Sequence, residues 1–355
     1  MFVALRDLRF ARGRFTLIGS VIALITILVG FLSGLTGGLA TQNISSILAI
    51  PADRIVFTPA AGDTAASFSD STISEQQATA WANTEGVATV APIGISQTRA
   101  ESSLTGSAIA IFGVQSGFDH IAPSRDGMVG LSTPAASALD VAPGDEITIA
   151  GSTYVVESVD GDDWYSHTPV VRMTLHDWQE YSAATGSPGT YATVLAVTGN
   201  PDWSAADTAN ATVSLSTLGS LTALSAFRSE IGSLVLMVTM LFGVSGLVIG
   251  AFFTVWTMQR KGDIAVLKAL GASTSSLIRD ALGQTLIVLL LGIGAGLGAV
   301  ACFALLAGTA LPFLFSPLTT VVPGAIMTAL GLTGATFALR SVTSADPLTA
   351  LGSNR

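Results

Sequence analysis

The sequence predicts an α-helical membrane protein with four transmembrane helices and a large α+β extracellular domain between the first and second. Three observations predict it. Half of the 355 residues are hydrophobic and only 11% are charged, with a mean hydropathy of +0.63; a soluble chain is about one quarter charged. Four runs are apolar for the roughly 20 residues that a bilayer-spanning helix needs. The charges are also sharply segregated along the chain.

In order, residues 1–14 carry Arg6, Arg9, Arg12 and Arg14 ahead of the first apolar run, 15–39. That run is too long for a secretory signal and lacks a convincing small-residue cleavage site, so it is read as retained. The other runs are 231–257, 277–310 and 318–340, separated by a charged loop at 258–276 and a short outer loop at 311–317, with a tail at 341–355. Ten of the 15 cations lie on the side of the two termini and the 258–276 loop. Residues 40–230 hold the other five, with 20 of the 24 acids, a net −15. Positive charge marks the cytoplasmic side. Both termini therefore face the cytoplasm of a plasma-membrane protein, and 40–230 faces outward.

Within 40–230, apolar and polar residues alternate between Gly, Pro and Asp punctuation, the pattern of short strands. "GDEITIAGSTYVVESVDGDD" reads as a hairpin closed at "AGST". "SEQQATAWANTEG" (74–86) reads as a helix ending at Gly86, and "TLHDWQEYSAA" as another. From about 214 the chain is expected to turn helical and run unbroken into the second span.

Several chemistries are excluded. A net charge of −9 argues against nucleic acid. Cys302 is the only cysteine, so no intrachain disulfide and no multi-cysteine metal site can form. No G-x-S-x-G, H-E-x-x-H or Walker A loop occurs, so the chain is not read as an enzyme. His120, His167 and His176 all fall in the outer domain. Two of them could bind a metal in principle, but with no HxxxH or HxH spacing they are read as scattered surface residues. The "DGDDW" loop (160–164) lacks calcium-loop spacing and is read as solvated.

The stretch "MQRKGDIAVLKALGAS" (258–273) places three cations and one acid between two membrane-grade runs. Asp263 is a plausible N-cap and Gly271 a plausible C-cap of a two-turn helix. Ile264, Val266, Leu267 and Leu270 share one face, with Lys261 and Lys268 opposite. So short a helix is marginal alone and needs a partner surface.

This stretch and the "LIRDALGQTLIVLLLGIGAGLGA" after it closely resemble the cytoplasmic signature of MacB/FtsX-like permeases of ABC exporters. "MVGLSTPAASALDVAPGDEITIAGSTYVVESV" (128–159) is in the family's style. "LRDLRFARGRFTLIG" resembles its amphipathic N-terminal helix, and "ADPLTALGS" its closing tail. The resemblance covers the whole chain. It departs at Asp263, where a glutamate is usual, and at Gln284, where an acid is often found. It implies a separate ABC ATPase, in two copies, that binds ATP and Mg and docks on Lys261, Asp263, Ile264, Leu267, Lys268 and Leu270 and on Arg6 and Arg9. The N-terminal arginines could equally serve anionic lipid headgroups. Four helices are too few to enclose a large substrate, so a homodimer is expected. Gly292, Gly294, Gly296 and Gly298, and Gly243, Gly246 and Gly250, read as close helix packing.

The sequence is most similar to the family's heme-exporting branch, which implies heme as substrate, not as a resident cofactor. The apolar segments lack His and Tyr, so the available iron ligands are methionines, a carboxylate or Cys302, and the candidates taken are Glu230 and Met237, with Met240 beside them. Arg228 would serve a propionate, and Phe31 and Phe227 would act as walls. Glu230 and Met237 are seven residues apart, about 10 Å along a helix. One straight helix cannot offer both to one iron; two protomers could. Two alternatives stay open: MacB-like export of a peptide, antibiotic or lipid, and FtsX-like transmembrane signalling to a cell-wall hydrolase.

Overall fold

The computed structural model describes residues 12–60, 65–259, 273–307 and 311–343, together with Gly262, Val266 and Gly271. The elements run α1 (Arg12–Leu48), β1 (Arg54–Phe57), α2 (Glu75–Ala82), β2 (Val87–Glu101), β3 (Gly106–Val114), β4 (Met128–Leu131), α3 (Thr133–Leu139), β5 (Glu146–Ile149) and β6 (Ser152–Val159). They continue with β7 (Trp164–Tyr165), β8 (Thr168–Thr174), α4 (Leu175–Ala184), β9 (Val194–Gly199), α5 (Trp203–Asn210), β10 (Val213–Ser216), α6 (Thr217–Ser220), α7 (Ser225–Gln259), α8 (Thr274–Ala307) and α9 (Pro317–Thr343). Two compact units emerge. Residues 1–38 and 233–355 form a helical unit; 39–232 form an inserted α+β unit.

In the helical unit, α1, α7, α8 and α9 are each long and apolar enough to cross a membrane. Glycine decides how closely they pack. A Cβ at Gly292 would lie 2.8 Å from the Ile22 side chain, and one at Gly296 would lie 2.5 Å from that of Thr26, so α8 presses its bare backbone against α1. Gly294 and Gly298 meet nothing within 4 Å. The run expected to pack as a whole is thus split. Residues four apart share a helix face, and those two apart do not. Gly246 and Gly250 face Leu330 and Gly334 of α9, whereas Gly243 has nothing within 4 Å. The Thr26 hydroxyl satisfies itself on the Ile22 carbonyl at 2.7 Å and also reaches the Met327 sulfur at 3.8 Å. Gln284 is buried on α8.

In the inserted unit, β2 is long enough to serve two sheets. Its first half pairs with β9 in an antiparallel sheet ordered β10-β1-β9-β2. Its second half starts the order β2-β3-β8-β4-β6-β5, and β5 pairs back onto β2 through Ala100↔Ile149 and Glu101↔Thr148. That return closes six strands into a barrel, which removes free edges there. Its core gathers Ile109, Ile111, Val129, Leu131, Ile147, Val171 and Trp178. The Trp178 ring lies on bare backbone. A Cβ at Gly94 would fall 2.0 Å from it and one at Gly113 2.2 Å from its side chain, while its indole N–H donates to Ser96 at 3.0 Å.

The expected hairpin is β5–β6, turning on Ala150 and Gly151, both with positive φ. The first expected helix is α2, opened by a reciprocal Ser74–Gln77 capping box. It stops at Ala82, short of Gly86, whose φ is +86°. The expectation of unbroken helix from 214 into the second span fails. β10, α6 and a 3₁₀ turn intervene, and Leu224 is extended at φ −88°, ψ 109°. The reason is burial. Leu221, Ala223 and Leu224 insert into the core with Ile44, Ile47 and Ile50 from the end of α1, which straight helix would not allow.

Strand β10 ends the open sheet. Its Ser214 N–H donates to Asp207 at 3.0 Å, and its carbonyl accepts from Arg54 at 3.3 Å. Arg54 in turn stacks on Trp203, 4.9 Å from the ring centroid.

Candidate functional site

The end of α1, the β7–β8 hairpin and the start of α7 converge within the inserted unit. Tyr165↔Thr168 is the last strand pair, leaving Ser166 and His167 as a two-residue turn. Both have positive φ, 47° and 62°. Such turns favour Asn-Gly or Asp-Gly, and a left-handed non-glycine residue costs roughly 1–2 kcal/mol. The surroundings hold the strained conformation. Ser166 and His167 donate their N–H groups to the carbonyls of Asn43 and Gln42 at 3.0 and 2.9 Å, and Trp164 N–H donates to Ser45 Oγ at 2.8 Å. Tyr165 is buried between Phe68 and Phe112, ring centroids 6.1 and 5.5 Å away. That burial pushes its hydroxyl pKa well up.

Fixed in this way, His167 places Nε2 3.1 Å from both carboxylate oxygens of Glu230 on α7. Asn43 Nδ2 donates to Glu230 Oε2 at 3.2 Å and lies 3.4 Å from Nε2. The His167 and Glu230 side chains remain 33% and 41% exposed, whereas Asn43 is buried, its Oδ1 without a hydrogen-bond partner. An imidazole and a carboxylate thus present donor atoms side by side on a rigid base.

This corrects the reading of all three histidines as scattered surface residues. His120 and His176 fit it: both are exposed, His120 3.7 Å from Asp160 and His176 3.1 Å from Asp126 and 3.8 Å from Glu180. Asp126, His176 and Asp177 bring one ligand-type atom each within 4.8 Å of one another, and no such group among the described residues contains two histidines. The "DGDDW" loop is only partly solvated. Asp163 is drawn inward to Arg172 at 3.2 Å, with Asp119 on the other side of the guanidinium at 2.8 Å.

Of the other expected ligands, Phe227 packs on the core that holds the hairpin and Arg228 is exposed. Met237 and Met240 belong to the helical unit, as does Phe31, and both methionines are exposed. Phe31 meets Phe303 and Phe313 at 5.0 and 5.7 Å. The expected coupling residues Arg6, Arg9, Lys261, Asp263, Ile264, Leu267, Lys268 and Leu270 lie outside the described residues. His167 and Asn43 were missed because no spacing rule links them. The only local signal was "Ser-His" standing where a hairpin turn favours Asn-Gly.

Residues 235–347 match the FtsX-like permease C-terminal family. The chain is 24% identical over 359 residues to a Staphylococcus haemolyticus protein and 22% identical over 367 residues to one from Staphylococcus epidermidis. Both are provisionally named hemin transport system permease protein HrtB, and each alignment covers 99% of both chains. Two solved structures are also similar to parts of the chain. The periplasmic region of MacB from Actinobacillus actinomycetemcomitans gives a TM-score of 0.35 at 11% identity, covering 48% of this chain and 94% of that one. The extracellular domain of the noncanonical ABC-type transporter YknZ from Gram-positive bacteria gives 0.31 at 12%, covering 44% and 87%.

Proposed function

We propose that this permease exports heme from the cell membrane, as a homodimer driven by two copies of a separate ATPase subunit that binds ATP and Mg. The observation that carries the reading is Glu230 at the head of an apolar helix, with His167 and Asn43 gathered on its carboxylate. An acid at that place is costly unless it has a task or a partner. A ferric porphyrin needs an apolar slot, an axial donor and a cation for its propionates, and the exposed Arg228 lies two residues away. The names of the full-length relatives agree in substrate class.

In this reading the inserted unit and Glu230 face outward and the termini inward, following the positive charge. Heme partitioned into the outer leaflet enters sideways between two copies of α1 and α7. Met237 and Met240 are the further candidate donors, and Phe31 and Phe227 the candidate apolar contacts. The ATPase docks on 258–276, where Asp263 and Lys268 offer charge and Ile264, Leu267 and Leu270 offer grip, and Arg6 and Arg9 add contacts from the N terminus. Nucleotide-driven closure then expels the pigment.

The test is colour. Permease purified from heme-fed cells should show a Soret band that weakens in Glu230→Ala and Met237→Ala. A colourless preparation whose ATPase responds to peptides would instead make it a peptide exporter.

A further inference from the structure

A polar recess of about 550 Å³ opens beside β10, where α5 and residues 211–213 meet Arg54 of β1. The sheet explains its position. Arg54 and Val56 are two apart on β1 and share a face. Val56 packs there with Trp81 of α2 and Ala206 of α5. Arg54, at the start of the strand, lies just past that core and lays its guanidinium on Trp203, 4.9 Å from the ring centroid. Its Nη1 donates to the Ser214 carbonyl at 3.3 Å and reaches the Ser214 hydroxyl at 3.4 Å. Among the described residues, Nε and Nη2 have no hydrogen-bond partner, and no carboxylate forms an ion pair with them. Asp207 lines the same recess, but it is engaged elsewhere. It accepts from Thr212 Oγ1 at 2.9 Å, from the Ser214 N–H at 3.0 Å and from the Ser214 hydroxyl at 2.7 Å.

The chemistry of the lining selects a ligand. Nε and Nη2 form one edge of the guanidinium, and two parallel N–H groups match the two oxygens of a carboxylate. A phosphate dianion would bring a second charge against Asp207. A sugar would need an open ring face on Trp203, yet Arg54 covers one and Trp81 stands 6.0 Å away. The net −15 of residues 40–230 is screened beyond roughly 8 Å at physiological salt, so contact with Arg54 decides. On α5, the Thr208 hydroxyl donates to the Ser204 carbonyl at 2.8 Å, while the Ser204 hydroxyl has no partner among the described residues. Ala211 and Val213 add an apolar margin.

We propose that this recess binds the free C-terminus of a short peptide. Arg54 takes the terminal carboxylate through Nε and Nη2, the Ser204 hydroxyl meets the adjoining amide, and the last side chain rests on Ala211 and Val213. The recess shares no residue with the cluster around Glu230, and the inference does not rest on the heme reading.

The experiment is saturation-transfer NMR of the full-length protein in nanodiscs with two probes, N-acetyl-trialanine and its C-terminal amide. The acid should bind at millimolar concentration, and the amide about tenfold or more weaker, as loss of a charge-assisted pair requires. Arg54→Gln should bring the acid down to the affinity of the amide. Because Arg54 also holds Ser214, a second variant leaves it in place. Ser204→Trp, at an exposed position of α5, fills the recess and should abolish binding with the thermal midpoint unchanged. Equal affinity for acid and amide overturns the proposal. So does wild-type binding in Ser204→Trp, or a wild-type signal no greater than that of empty nanodiscs. None of these outcomes touches the Soret band by which the heme reading is judged.

Discussion

Gly250 and Gly334 bring α7 and α9 together backbone to backbone: a Cβ at Gly334 would sit 2.9 Å from the Gly250 Cα. Nothing flexible stands between them to yield. Gly334→Leu should force the two helices apart and cost roughly 1–3 kcal/mol, as overpacking does in close-packed interiors. The check is a lower thermal midpoint of the detergent-solubilised protein. Gly243→Leu, at a glycine with open space around it, serves as the control and should leave the midpoint in place.

The Trp178 ring rests where Gly94 and Gly113 expose the backbone of β2 and β3. Gly113→Ala places a methyl into the first atoms of that side chain, at its Cβ. The ring must lift, and the barrel should lose on the order of 1–3 kcal/mol. Tryptophan emission should move to the red as the indole leaves Ser96, and urea unfolding should shift to a lower midpoint.

Arg172 is 1% exposed, bridges Asp119 and Asp163, and lies 4.6 Å from the centroid of the Phe112 ring. Arg172→Met leaves two largely, though not fully, buried carboxylates without their cation and should cost about 3 kcal/mol at neutral pH. Burial already raises the Asp163 carboxyl above its ordinary range, with Arg172 pulling the other way. For an acid raised in the folded state, the penalty is present above the folded pKa and is relieved as pH falls through it. The deficit of Arg172→Met should therefore shrink as pH is lowered from 7 towards 5 in a series of thermal melts.

Asp177 tests the same sign without an ion pair. Burial raises its carboxyl pKa most, and Asp126 and Glu180 add repulsion, against hydrogen bonds from Gly127 and Thr174. Asp177→Asn keeps an oxygen for the Gly127 N–H and removes the charge. It should raise the thermal midpoint at pH 7 and make no difference once the wild-type acid is protonated.

The proposed docking of an ATPase on 258–276 can be tested directly. If Asp263 meets a cation on the ATPase, Asp263→Lys should abolish co-purification of the two subunits, and a matching charge reversal on the ATPase should bring it back. Unchanged co-purification would remove Asp263 from the contact.

The four long helices and the α+β insertion were readable because they rest on composition and period. An apolar run of this length, with charge held to its ends, is what a bilayer demands of a spanning helix, and "AGST" between alternating strands names its own turn. Local pattern failed where tertiary burial decided. Leu224 breaks a helical-looking stretch because Leu221, Ala223 and Leu224 are claimed by a core that includes the far end of α1. The candidate site failed for a related reason. Asn43, His167 and Glu230 are separated by 124 and 63 residues, and no periodicity spans such gaps. Glu230 could be singled out alone as an acid beside an apolar run; its neighbours became visible only once the chain was folded.

Arg54 and Asp207 fill the hydrogen-bonding positions of Ser214 on β10. A membrane crowded with copies of this chain would hold many such sheets close together, each able in principle to zip onto the next. With the amide and carbonyl of Ser214 already taken, a neighbour's strand finds no ladder to climb there, and the copies can lie shoulder to shoulder without fusing into a fibre.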